Sequence, residues 1–76
     1  MTTSIKSILN LFVELGQVVE IETLNGYRTS DYLFRLNSEQ IPNEQTVYTV
    51  YGTNFFPRDV KRVVILPNVV YIYLNK

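Results

Sequence analysis

The apolar residues of the first 15 positions recur every three or four residues, which is the spacing of one face of an α-helix. They are Ile5, Ile8, Leu9, Phe12 and Leu15. Thr3 or Ser4 can cap the start, and Gly16 can adopt the left-handed conformation that ends a helix. The pattern predicts an amphipathic helix over about residues 4–15. Its polar face carries only Lys6 as a basic residue, so we expect core packing rather than membrane-surface binding.

From residue 17 onward the apolar positions alternate, which is the pattern of β-strands with one buried face. Two such runs, about 17–24 and 27–36, flank the pair Asn25-Gly26. This pair is the strongest short-range signal for a two-residue hairpin turn. We therefore expect a type I′ turn with positive φ at both residues.

A two-residue turn would fix the register of this first hairpin by placing Val19 opposite Tyr32. The predicted core face would then consist of Val19, Ile21, Tyr32, Phe34 and Leu36. On the other face, Glu20 would lie beside Asp31. Two adjacent carboxylates can serve acid–base chemistry or bind a cation, but the sequence offers no third ligand and no base. A solvated face, or a bulge near Ser30 that separates the pair, is the simpler interpretation.

Residues 37–45 are polar around Pro42 and predict an exposed loop. A strand over about 46–51 follows and ends at Gly52. The chain must then turn, because Pro57 has no N–H to donate to a strand ladder.

The stretch NFFPRDVKRVVIL, residues 54–66, combines two phenylalanines with three basic residues around one aspartate. It could bind an anionic strand, or it could only turn the chain from one strand into the next. We favour the turn. In that interpretation Phe55 or Phe56 fills the end of the fold, and residues 57–59 form a single turn of 3₁₀ helix capped by Asp59.

The last two runs predict a second hairpin, with strands over about 60–66 and 69–74 joined by Pro67-Asn68. Pairing Leu66 with Val69 sets its register. One face of this hairpin is then plainly core and consists of Val63, Ile65, Val70, Ile72 and Leu74. The opposite face is neither plainly core nor plainly solvent and consists of Arg62, Val64, Val69, Tyr71 and Tyr73.

These elements predict a single domain over residues 1–76, mainly β with one N-terminal α-helix. Five short strands must cover their apolar face, so we expect them to bend into a small barrel. The outline resembles the five-stranded SH3-like and Sm-like barrels, in which an N-terminal helix can cover one end. Those barrels usually place a 3₁₀ turn between the last two strands, whereas FFPRD comes one connection earlier here. The alternative is an α+β fold, an open antiparallel sheet with the helix packed on one face.

Composition narrows the range of functions. The chain has 76 residues, 46% of them hydrophobic, with no cysteine and no histidine. Disulfides, thiolate nucleophiles, Cys/His zinc sites and histidine acid–base chemistry are therefore excluded. No Gly-rich phosphate loop or metal-ligand spacing occurs, so we expect a non-catalytic protein without a cofactor or bound metal.

The net charge is zero, but its distribution is uneven. Residues 1–53 contain three basic and six acidic residues, whereas residues 54–76 contain four basic residues and one acidic residue. A nucleic-acid-binding protein of this size usually has a clear positive excess. No secretory leader pattern and no run of about 18 apolar residues occurs, so the sequence predicts a cytoplasmic protein with no membrane partner.

The candidate binding surface is the face of the second hairpin that is neither plainly core nor plainly solvent. It consists of Arg62, Val64, Val69, Tyr71 and Tyr73, with Arg58 nearby in the chain. Tyrosine and arginine are enriched at protein interfaces. The same residue types can stack on bases and contact phosphates of single-stranded nucleic acid. Because there is no overall positive charge, we expect a protein-protein interaction or regulatory module that forms a homo-oligomer, with nucleic-acid binding as the alternative.

Overall fold

The computed structural model describes residues 4–36 and 46–76, and the loop predicted over 37–45 therefore lies outside the described residues. The described elements are helix α1 (Ile5–Leu15), strands β1 (Val18–Glu22), β2 (Arg28–Tyr32), β3 (Phe34–Leu36), β4 (Val47–Val50) and β5 (Thr53–Phe55), a 3₁₀ helix (Pro57–Asp59), and strands β6 (Val60–Ile65) and β7 (Val70–Leu74).

Helix α1 begins and ends at the residues that the sequence predicts. The side chain of Ser4 accepts a hydrogen bond from the Ser7 backbone N–H at 3.1 Å. Gly16 has φ 66° and donates its N–H to the last turn of the helix. Both caps satisfy backbone groups that the helix itself leaves unpaired. Leu9 and Phe12 are buried, and Ile5 and Ile8 pack against the core, as predicted for the apolar face. Leu15 is the exception, because it lies at the helix end and is 68% exposed.

The described strands form two sheets, one in the order β2-β1-β7-β6 and one in the order β3-β4-β5. Most neighbours are antiparallel, but β1 and β7 run parallel. The fold is therefore mainly β with one helix, as predicted. No closed barrel is found among the described strands, and the α+β alternative fits better, with two sheets in place of one.

The first hairpin does not have the predicted two-residue turn. The Gly26 N–H donates to the Thr23 carbonyl at 3.0 Å, and the Thr23 N–H donates to the Tyr27 carbonyl at 2.8 Å. The loop is therefore Leu24–Gly26, a turn followed by a glycine at φ 90°. Such a three-residue loop with a left-handed glycine is the next most common hairpin connection.

One extra loop residue shifts the register by one and reverses the faces of the second strand. Val19 pairs with Asp31 instead of Tyr32, and Glu20 pairs with Ser30 instead of Asp31. The prediction that Tyr32, Phe34 and Leu36 lie in the core is therefore wrong, and all three are exposed. Leu33 takes a core position between β2 and β3. The prediction that Glu20 lies beside Asp31 is also wrong, because the register, and not a bulge near Ser30, separates the two carboxylates.

The second sheet contains a strand that the sequence did not reveal. Strand β5 pairs with β4 through a two-residue loop, Tyr51-Gly52, whose φ angles are 48° and 81°. Two positive φ angles are the mark of a type I′ turn, so the turn expected at Asn25-Gly26 is found here. The interior side of this sheet supplies Tyr48, Val50 and Phe55 to the core.

The second hairpin has the predicted register, with Ile65 opposite Val70 and Arg62 opposite Tyr73. A bulge at Lys61 interrupts the start of β6. Of the predicted core face, the β7 residues Val70, Ile72 and Leu74 are buried, and Val63 packs against the core. Ile65 is the exception. It is 62% exposed, because it lies at the end of an edge strand next to the loop.

Strand β5 ends at Phe55, and the residues after it turn the chain into β6, as the sequence predicts. Phe55 is fully buried, and its ring stacks on that of Tyr48 with centroids 6.2 Å apart. The Asp59 carboxylate accepts a hydrogen bond from the Phe56 N–H at 2.9 Å, which caps the 3₁₀ helix. The phenylalanines and the aspartate of this stretch therefore have structural roles.

Candidate functional site

Strand β7 lies inside the four-stranded sheet, with β1 on one side and β6 on the other. The final strand therefore has no free edge through which it could pair with a neighbouring chain. Its side chains alternate, so that Val70, Ile72 and Leu74 are buried while Tyr71 and Tyr73 lie on the opposite, outward side. We call that outward side the tyrosine face. Its central residues are Glu20, Glu22, Arg28, Arg62, Val64, Tyr71 and Tyr73.

One row of the tyrosine face runs across all four strands in the order Arg28, Glu22, Tyr73, Arg62. Arg28 Nε lies 2.6 Å from Glu22 Oε1. This hydrogen bond and the charge of Glu22 raise the pKa of Arg28. At the other end the Arg62 guanidinium lies over the Tyr73 ring, 4.5 Å from its centroid, in a cation–π contact. Each member of this row therefore contacts another member, in one ion pair and one cation–π pair.

The neighbouring row has the same Glu-Tyr pair but different ends, in the order Ser30, Glu20, Tyr71, Val64. Glu20 is partly buried, and among residues 4–36 and 46–76 no basic group lies within 4 Å of its carboxylate. The Tyr71 and Tyr73 rings are 6.4 Å apart and tilted by 31°. The two rows thus differ mainly in that the second lacks a cation.

A cleft of about 320 Å³ lies over β1 and β7 on this face, among their outward side chains and Arg28 of β2. Its lining residues are Glu20, Ile21, Glu22, Arg28, Tyr71, Ile72 and Tyr73. Carboxylates beside aromatic rings can receive a cationic side chain, because both the charge and the ring face attract it. Among the described residues no group of three acidic side chains that could hold a metal ion is found.

An apolar patch continues the tyrosine face along β1 and β2. Val18 pairs with Tyr32, and the Tyr32 and Phe34 rings meet edge to face with centroids 6.5 Å apart. Val18, Tyr32 and Phe34 are each between 44% and 53% exposed, which is high for large apolar side chains. Val69, just before β7, is partly buried and by alternation lies on the same side as Tyr71.

The structure brings together Arg62, Val64, Tyr71 and Tyr73 as the sequence predicts, but it does not bring Arg58 to them. The guanidinium of Arg58 lies over the Phe56 ring, 4.2 Å from its centroid, on the exposed side of the 3₁₀ helix. The contact with the nearby Phe56 ring therefore sets the position of the Arg58 side chain.

Sequence reasoning missed the contribution of the first hairpin to this face. Glu20, Glu22 and Arg28 join it because β1 pairs in parallel with β7, and no local pattern reveals a parallel pairing between segments about 50 residues apart. A signal for the hairpin register was present in Thr23. Its hydroxyl accepts a hydrogen bond from the Tyr27 N–H at 3.2 Å, which supports the three-residue loop.

Helix α1 contributes Asn10 to a half-buried polar cluster beside the core. The Asn10 Oδ1 accepts hydrogen bonds from the Tyr48 hydroxyl at 2.5 Å and from Arg35 Nη1 at 3.0 Å. Within the described residues Arg35 Nε is buried without a hydrogen-bond partner. Burial raises the pKa of Tyr48, and the charge of Arg35 partly opposes this shift. The cluster links α1 to the second sheet and lies away from the tyrosine face.

The raised pKa of Tyr48 predicts a specific alkaline loss of stability. In the unfolded chain a tyrosine ionises near pH 10, whereas the folded state holds the Tyr48 proton to higher pH. The stabilisation is complete below pH 10 and falls as the pH rises above it. We expect the difference in unfolding free energy between the parent and Tyr48→Phe to be constant from pH 7 to about 9 and to shrink above about 10. Urea unfolding of both proteins across this range measures it, and a constant difference up to pH 11 would contradict the shift.

No helix in the described part of the chain is long and apolar enough to cross a membrane. Comparison of the chain with models of protein families, with curated proteins and with solved structures found no match.

Proposed function

We propose that the protein is a small non-catalytic interaction or regulatory module that associates with a second copy of itself through the tyrosine face. The observation that carries the proposal is the two-sided apolar character of β7. Its inward residues fill the core, while Tyr71 and Tyr73 lie on a side of the sheet where the described elements leave a cleft. Strands with apolar residues on both sides are expected where both sides are covered.

The composition of the face also supports a protein partner. Tyrosine and arginine provide large contact areas and directed hydrogen bonds at the centre of interfaces. The adjoining exposed residues Val18, Tyr32 and Phe34 extend the surface with apolar area that a partner would remove from water.

Charge weighs against the nucleic-acid alternative. The two arginines of the tyrosine face, Arg28 and Arg62, are balanced by Glu20 and Glu22 on the same face. Phosphate binding relies on a basic surface, and two carboxylates beside the tyrosines would repel a phosphate backbone. The resemblance to SH3-like or Sm-like barrels rests on the sequence alone, and it does not favour one kind of ligand over another.

Replacing both tyrosines by serine tests the proposal. We expect the parent to have twice the mass of its 8.9 kDa chain in solution. We expect Tyr71→Ser/Tyr73→Ser to weaken association at least tenfold, because interface tyrosines often contribute more than about 1.4 kcal/mol. Light scattering after size exclusion measures the mass across a concentration series, and circular dichroism checks that the variant remains folded.

Tyr51→Asn is the matched control for this experiment. Tyr51 is 70% exposed at the turn between β4 and β5, and asparagine suits its positive φ. The control should associate like the parent. The proposal fails if the parent is a monomer at millimolar concentration. A monomer that binds a single-stranded oligonucleotide in a salt-dependent way, and loses it on Arg62→Ala, would establish the alternative.

A further inference from the structure

The tyrosine face carries one anion and one cation that form no ion pair in the described part of the chain, although the charge of Glu20 acts at longer range on Arg28. Glu20 has no basic group within 4 Å, and Arg62, which is exposed, contacts the Tyr73 ring and no carboxylate within the same distance. The other two charges of the face, Glu22 and Arg28, already pair with each other. Partly buried charges on an interface are retained at low cost only when they are paired.

The positions of these two charges are related through β7. Glu20 lies on β1, Arg62 lies on β6, and β7 runs between them. Glu20 is level with Tyr71, and Arg62 is level with Tyr73. The strands are about 4.8 Å apart, so the two charges are separated by about 10 Å across the sheet. The midpoint between them therefore falls on β7, between Tyr71 and Tyr73.

A two-fold axis above that midpoint, parallel to the sheet and perpendicular to the line from Glu20 to Arg62, would place each of these positions over the other in a second copy. A two-fold interface is built from the same patch on both copies, so that residue i meets residue j and residue j meets residue i. Such an axis would bring Glu20 of each copy onto Arg62 of the other. It would also stack the tyrosines of the two copies at the centre, where they would be shielded from water.

We propose that the second copy binds face to face, with Glu20 of each chain paired to Arg62 of the other around the central tyrosines. This inference rests on the proposed function and adds the symmetry and the pairing. Contact through the β6 edge of the sheet is less favourable. The edge strand β6 carries a bulge at Lys61, and bulges and lysines on an edge discourage strand-to-strand pairing.

Two charge-reversal variants test the pairing. In Glu20→Arg, both contacts of a homodimer would set arginine against arginine, and in Arg62→Glu both would set glutamate against glutamate. We expect each variant alone to associate at least tenfold more weakly than the parent. In an equimolar mixture, however, both contacts of the mixed dimer join an arginine to a glutamate. The mixture should therefore form a one-to-one heterodimer, which native mass spectrometry identifies because the two chains differ in mass.

The controls separate this inference from the proposed function. Circular dichroism melting shows whether each variant folds, and the double variant Glu20→Arg/Arg62→Glu should dimerise by itself. If Tyr71→Ser/Tyr73→Ser is monomeric while both charge variants associate like the parent, the tyrosine face is the interface but the pairing is wrong. Weakened single variants whose mixture remains monomeric would also overturn the pairing. A parent that is monomeric at millimolar concentration would overturn both proposals.

Discussion

Phe12→Ala is expected to lower the free energy of unfolding by about 3–5 kcal/mol. Phe12 is 6% exposed and belongs to the main core cluster, so its removal leaves a cavity between α1 and the sheets. The total stability of a small domain is of the order of 5 kcal/mol or more, so the variant would be close to unfolding at room temperature. Chemical denaturation followed by circular dichroism measures the loss.

Leu15→Ala is the control for this substitution. Leu15 belongs to the same helix but is 68% exposed, and alanine has the higher helix propensity. The control should therefore change stability by less than about 0.5 kcal/mol. If Phe12→Ala melts like the parent, the helix is an appendage of the sheets and is itself available for binding.

Gly26→Val is expected to lower the free energy of unfolding by about 2–3 kcal/mol, because a β-branched residue is strained at positive φ. Gly26 has φ 90°, and a Cβ atom added there would meet no atom within 4 Å. The loss would therefore come from the backbone and not from a steric clash. The same denaturation experiment measures it.

Gly26→Asn provides the matched comparison, since asparagine tolerates the left-handed region better than other non-glycine residues. It should cost clearly less than valine. Equal stability of the valine variant and the parent would show that this loop does not need the left-handed glycine, and the register of the first hairpin would then be in doubt.

The sequence predicts elements that local chemistry determines. The caps at Ser4 and Gly16, the 3₁₀ turn after Phe56 and the hairpin across Pro67-Asn68 each depend on residues close together in the chain. Residue type restricts the backbone at these positions, so few alternatives compete.

The register of the first hairpin could not be predicted from local sequence alone. The segment around Asn25-Gly26 suits both a two-residue and a three-residue loop, since each places a glycine at positive φ. The two differ by one residue in register, and that difference decides whether Leu33 or Tyr32 faces the core. Leu33 belongs to the same core cluster as Tyr48 and Phe55 of the second sheet, and no local sequence pattern predicts this long-range packing.

Only half of the tyrosine face could be predicted from the sequence, because the other half depends on pairing between distant segments of the chain. The β6–β7 part of the tyrosine face follows from a hairpin register that the turn determines. The β1 part, including Glu20, depends on a long-range parallel pairing. Arg58 was assigned to this face because it is close to Arg62 in sequence, but its guanidinium lies over the Phe56 ring instead.

The proposed interface can be tested by identifying which protons of one copy lie next to the other copy. Isotope-filtered NMR on a mixture of labelled and unlabelled chains reports only contacts between copies. We expect such contacts between the ring protons of Tyr71 and Tyr73 in one chain and Tyr71 and Val64 in the other. If these rings show contacts only within their own chain, or if the contacts between copies lie along the edge of β6, the tyrosine face is not the interface.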